Sequence, residues 1–108
     1  LFFVDDKDGS VINEKNLTTG ELDTDRHWWV QMEAVIGLKY ANELQPKTKY
    51  LEASIEIWNY TKNHLRDYKY GEWFFRVSKN GKVYTQEDKV SMWKAPYHTS
   101  RACIFLTQ

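Results

Sequence analysis

Trp93-Lys94-Ala95-Pro96-Tyr97-His98, with Arg101 three residues further on, is the stretch whose residue types could do chemistry. It sets a large aromatic face, a backbone-fixing proline, an imidazole and a guanidinium after a loop and just before an apolar run. Such a set suits holding and deprotonating a polar ring. The same types also serve as packing, since Trp and Tyr are ordinary core residues and a lone histidine is often structural. Glu33 is the second candidate. It lies four positions after Trp29 and four before Gly37, so on a helix the three share a face on which a carboxylate and an indole flank a position without a side chain. A buried carboxylate costs several kcal/mol unless it is paired, so Glu33 needs a partner or a ligand. A structural ion pair and a functional contact both meet that need.

These residues must be positioned by the elements around them. Trp28, Trp29, Val30, Met32, Val35, Ile36, Leu38 and Leu44 predict a helix from about Arg26 to Leu44, apolar on every side and hence buried on most faces, with Asp23 or Asp25 as its N-cap. Pro46 is placed to open a second helix from about Lys47 to Leu65. There Leu51, Ile55, Trp58 and Leu65 form the buried side, while Glu52, Glu56, Lys62 and Asn63 face water. His64, in its last turn, favours the helix dipole, and His27 reads as a surface residue. Leu1 to Val4 and Val11-Ile12 flank an Asp-rich turn and read as a hairpin; the turn departs from a calcium loop at Val11 and is expected to be solvated. Residues 13–25 read as a polar loop, and Asn80-Gly81 within residues 70–84 marks a second hairpin. After a polar loop, Ala95 is steered away from helical geometry by Pro96, so His98 should lie near a helix N-terminus with Arg101 one turn on. The pattern suggests nested helices whose connecting loops crown one end.

Composition narrows the classes. With 108 residues and 42% hydrophobic content the chain suits one domain, residues 1–108, with no repeat or linker. Fifteen basic side chains balance 15 acidic ones, so no net field draws it to nucleic acid or an anionic membrane. A single cysteine, Cys103, forms no intrachain disulfide and fits a reducing, cytoplasmic setting. No apolar run approaches membrane-helix length. Both ends stop inside apolar, periodic segments, as a piece of a longer protein would. Aromatic residues reach 16%, enough for a dense core or a sugar-binding groove.

His27-Trp28-Trp29-Val30-Gln31-Met32-Glu33-Ala34-Val35, Tyr50-Leu51-Glu52-Ala53, Gly71-Glu72-Trp73-Phe74 and Trp93 through Arg101 resemble consecutive C-terminal motifs of the N-acylglucosamine 2-epimerase superfamily. The form of the first is most similar to the cellobiose and mannobiose 2-epimerase branch. The match is collinear along nearly the whole chain. It departs at Met32, where alanine is common, at Ala95, where cysteine often stands, and at Thr99-Ser100, where Asn-Gly is common. The resemblance implies an all-α fold, the C-terminal part of an (α/α)6 barrel with short β-hairpins in its connecting loops. It implies a carbohydrate substrate whose C2 is inverted through a cis-enediolate, with no cofactor or metal. His98 falls on one acid/base histidine, Trp73 and Trp93 on sugar-packing aromatics, and Trp29 with Glu33 on the pocket wall. Arg101 matches the motif as a binding residue, and the partner histidine belongs to upstream barrel segments. The piece alone is expected to be inactive.

A proton beside a carbonyl is weakly acidic, so its removal needs a base near ambient pH and stabilisation of the developing oxyanion. His98 near a helix N-terminus, with Arg101 on the same face, is expected to rest neutral and to serve as base in one direction and acid in the other. An N-acylglucosamine 2-epimerase or aldose-ketose isomerase is the near alternative. A glycosidase or lyase on the same kind of barrel would use Glu33 and Glu72 as facing carboxylates. A helical-repeat binding module lacks its repeat.

Overall fold

The computed structural model describes residues 3–108; Leu1 and Phe2, where the first hairpin was expected to begin, lie outside the described residues. The elements are β1 (Glu14–Lys15), β2 (Leu22–Asp23), β3 (Arg26–His27), α1 (Trp28–Leu44), α2 (Thr48–Tyr60) continued by a π-helical turn (Thr61–Leu65), β4 (Arg76–Val77) and α3 (Tyr97–Leu106). The fold is therefore mostly helical with short strands. The brief connection through Pro46 makes α1 and α2 a helical hairpin. Helix α3 packs across α1, where the fully buried Ala102 lets the two backbones approach. The main core joins Trp28, Met32 and Ile36 of α1 to Tyr60, Leu65, Trp73, Val77 and Ala102. A smaller cluster of Val11, Val35 and Ile57 lies beneath the N-terminal segment.

Helix α1 begins two residues later than its apolar pattern predicts, and neither Asp23 nor Asp25 caps it. Residues 26 and 27 are held extended instead, because Arg26 pairs with Val77 and His27 with Arg76 across β3 and β4. Asp25 is drawn to Arg76 at 2.9 Å and accepts from the Tyr84 hydroxyl at 3.2 Å, while Asp23 accepts from Asn13 at 2.8 Å. The amide of Trp28 donates to the Phe75 carbonyl at 3.1 Å, so the residue before β4 satisfies one of the free amides at the start of the helix. His27 is half-buried rather than exposed: its ring stands edge-on to Phe75 and its Nε2 lies 3.8 Å from Asp23. Burial lowers its pKa, with the charge of Asp23 working in the opposite direction.

The expectation that α1 is covered on most faces is corrected along one stripe. Trp28, Gln31, Met32, Val35 and Ile36 are buried, but Trp29, Gly37 and Tyr40 are exposed and Glu33 is half-exposed. In α2, too, part of the side expected to be buried is turned outward. Leu51 and Ile55 face outward, while Ala53, Ser54, Ile57 and Tyr60 pack inward. Small residues are what the close approach to α1 requires, and the Ser54 hydroxyl donates to the Val35 carbonyl at 3.2 Å. His64 is exposed and stacks on Tyr60.

The Asp-rich turn does more than meet solvent. Val4 bridges Val11, and the enclosed loop folds over the fully buried Arg26, whose guanidinium reaches Asp5 at 2.6 Å, Ser10 at 2.7 Å and the Thr24 carbonyl. Gln31 completes the seam by accepting from the Val11 amide at 2.8 Å and donating to its carbonyl at 2.7 Å. The stretch read as loop, residues 13–25, contains the β1–β2 ladder, Glu14 opposite Asp23 and Lys15 opposite Leu22. The second hairpin turns at Asn80-Gly81, where Gly81 has φ +79°, as that dipeptide predicts. It closes through a single Val77–Val83 bridge, since β4 gives its longer ladder to β3.

Candidate active site

Pro96 forms the N-cap of α3 with φ −70°, so His98 enters in the first helical turn and Arg101 follows three residues on, along the same face. That face meets Glu33, one turn into α1. His98 Nδ1 lies 2.8 Å from one carboxylate oxygen, and Arg101 donates to the other. A carboxylate only accepts, so Nδ1 carries the hydrogen. The imidazole is set between aromatic rings. Trp28 stands edge-on at 6.2 Å, Trp29 is tilted at 5.8 Å and Tyr97 is edge-on at 5.0 Å. Side chains of His98, Glu33 and Arg101 are 31%, 30% and 34% exposed, so the cluster is built on packed helices yet open on one side.

Burial works to raise the pKa of Glu33, but hydrogen bonds from His98 and Arg101 outweigh it and hold the carboxyl below its ordinary range. The lowered value means that the Glu33 contribution is fully present above the unfolded value, about 4.3. It is lost as pH falls through the lower folded one. Arg101 is raised in turn, chiefly by its hydrogen bond to Glu33. Its guanidinium is paired with the Glu33 carboxylate, not placed against the imidazole.

Of the residues singled out in the sequence, the structure brings together Trp29, Glu33, His98 and Arg101. Trp93 stands on the turn between Ser91 and Lys94 with 80% of its surface exposed, leading into α3. Trp73 is withdrawn: it is 9% exposed and packs against Trp58 with ring centroids 6.0 Å apart, on a strand-like segment that bridges Arg66 next to the buried Leu65. Glu33 and Glu72, the pair a hydrolase would need facing each other, are each turned to their own cations, Arg101 and Lys94. Sequence reasoning missed Trp28 and Lys94 as neighbours of the site. Lysine is ordinarily placed at a surface, and only its position inside the Trp93 to Arg101 motif could have flagged it.

The site thus stands on a helical hairpin crossed by a third helix whose first turn offers an imidazole to a carboxylate. The chain belongs to the N-acylglucosamine 2-epimerase (GlcNAc 2-epimerase) family, whose model matches residues 4–102. It is 44% identical over 99 residues to a cellobiose 2-epimerase of Bacteroides fragilis, covering 92% of this chain and 25% of that protein. A cellobiose 2-epimerase of Dictyoglomus turgidum is 37% identical over 97 residues, covering 89% of this chain and 24% of its own length. The solved cellobiose 2-epimerase of Spirochaeta thermophila superposes with a TM-score of 0.89 at 38% identity, over 96% of this chain and 26% of that one. The chain thus spans about a quarter of the length of the curated relatives it matches. Among the described residues no helix is long and apolar enough to cross a membrane.

Proposed function

We propose that this chain is one part of a carbohydrate 2-epimerase built as a barrel of helical hairpins, and that it supplies one of two acid/base groups. The observation that carries the reading is the hydrogen bond between His98 Nδ1 and Glu33, which leaves Nε2 as the base. On an open-chain sugar, Nε2 takes the C2 proton as the C2–H electrons form the C1=C2 bond and the carbonyl electrons move to O1, giving a cis-enediolate. A group on the opposite face, supplied by the rest of the barrel, returns a proton to C2 and inverts it. Glu33 holds the tautomer and steadies the imidazolium, while the exposed indoles of Trp29 and Trp93 offer faces to sugar C–H surface. The substrate is the reducing-end residue of a β-1,4-linked disaccharide such as cellobiose or mannobiose, supported by the cellobiose 2-epimerases among its relatives. A D-mannose isomerase of Marinomonas mediterranea, 27% identical over 81 residues, favours aldose-ketose isomerisation as the second reading.

Incubating the full-length protein with cellobiose in heavy water separates these readings. The C2 epimer carrying deuterium at C2 is the expected product. A ketose would favour the second reading, and released monosaccharides or no reaction would overturn both.

Glu33→Gln in that protein is expected to lower kcat about 10- to 100-fold, by analogy with losing the outer carboxylate that orients a metal-bound histidine. KM should stay within about threefold, since the lost charge acts on the base rather than the substrate. A raised KM at unchanged kcat would make Glu33 a sugar contact instead.

A further inference from the structure

We infer that Lys94 is a positioning residue for His98, acting through its contact with Trp28 and through the turn that leads into α3. The inference rests on the acid/base reading of His98. Lys94 is only 2% exposed. Its ammonium donates to Glu72 at 3.0 Å and to the Lys89 carbonyl, and lies 5.2 Å from the Trp28 ring centroid. Trp28, itself 2% exposed, presents its other contact to the His98 imidazole. The same indole thus contacts both a buried cation and the proposed base. The lysine backbone is also pinned, since Ser91 and Lys94 exchange amide-to-carbonyl bonds at 3.1 and 3.3 Å and the Ser91 hydroxyl accepts from the Lys94 amide. Four residues further on comes His98.

Two costly features meet in this ion pair. Burying an ammonium is unfavourable unless its hydrogen bonds are replaced. Glu72 adopts φ +64°, a left-handed conformation that suits glycine better than a branched backbone neighbour, and it follows Gly71 at φ +77°. With this left-handed backbone Glu72 sets its carboxylate against the buried ammonium, adding a counter-charge to the Lys89 carbonyl and the Trp28 ring. The outcome is a rigid support for Trp28 and a fixed entry to the helix that carries His98. Positioning of this kind acts on turnover, because a displacement of about 1 Å at a reacting group can cost on the order of 100-fold in rate.

The test uses the full-length protein with cellobiose. Lys94→Met is expected to lower kcat about 10- to 100-fold with KM within about threefold, and Lys94→Arg, which can still reach Glu72 and lie over the indole, to recover most of the loss. In a His98→Asn background Lys94→Met should cost less than about twofold more, because a residue acting through His98 has nothing left to position. Glu72→Gly serves if Lys94→Met does not fold: it relieves the left-handed backbone while deleting the carboxylate, so a kcat loss from it supports the inference. A folded Lys94→Met with kcat within about twofold of the parent, or a full additional loss in the His98→Asn background, would overturn it. If His98→Asn itself stays active, the acid/base reading falls on that result alone, while Lys94→Met in the parent still shows whether the lysine supports turnover.

Discussion

His98→Asn in the full-length protein is expected to lower kcat for cellobiose epimerisation about 1,000-fold, inside the 10²- to 10⁴-fold range of general acid–base catalysis. Asparagine is the informative replacement because its amide nitrogen can take the place of Nδ1 and keep donating to Glu33. The tie between α1 and α3 is then preserved, and only the Nε2 lone pair is lost. KM should change little, since the imidazole abstracts a proton rather than binding hydroxyls. Deuterium uptake from heavy water gives a second readout with a distinctive asymmetry. Exchange at C2 should stop for the epimer whose C2–H faces Nε2 and persist for the one served by the opposite base. Near-normal exchange into both epimers would remove His98 from the mechanism, whatever the epimerisation rate.

What the sequence made legible follows from how local each determinant is. Pro96 restricts the backbone at its own position, so the placement of His98 in a first helical turn could be read from a few residues. Asn80-Gly81 specified its turn for the same reason. The partner of Glu33 was not local. It comes from α3, at His98 and Arg101, and a sequence can state that a carboxylate needs a partner without stating which cation the fold delivers. Burial was misread where size and polarity pointed the wrong way. Ala53 and Ser54 pack inward on α2 because α1 comes close, leaving Leu51 and Ile55 outside. Arg26 and Lys94 are buried because loops fold over them with matching acceptors, which side-chain type alone argues against. The two-residue strands have too little length for any period, and their partners, Arg26 with Val77 and Glu14 with Asp23, exist only in the folded chain.

Trp73→Ala is expected to destabilise the full-length protein by about 3–5 kcal/mol, the range for removing a buried tryptophan from a packed core. The ring fills space among Trp58, Leu65, Tyr60 and Val77, and the Phe74 amide beside it donates to the Leu65 carbonyl at 2.8 Å, so neighbouring backbone cannot collapse freely into the void. A sugar-packing role predicts the opposite pattern: a higher KM with stability intact. The core assignment instead predicts kcat and KM within about threefold of the parent per folded molecule, with the loss confined to the unfolding midpoint. Denaturant unfolding and steady-state kinetics on the same preparation discriminate the two. A midpoint shift worth less than about 1 kcal/mol together with a tenfold rise in KM would return Trp73 to the substrate site. The distinction matters for the geometry of the site. If Trp73 belongs to the core, the exposed aromatic surface nearest the proposed base is that of Trp29 and Tyr97 against the His98 ring, with Trp93 exposed on the turn before α3.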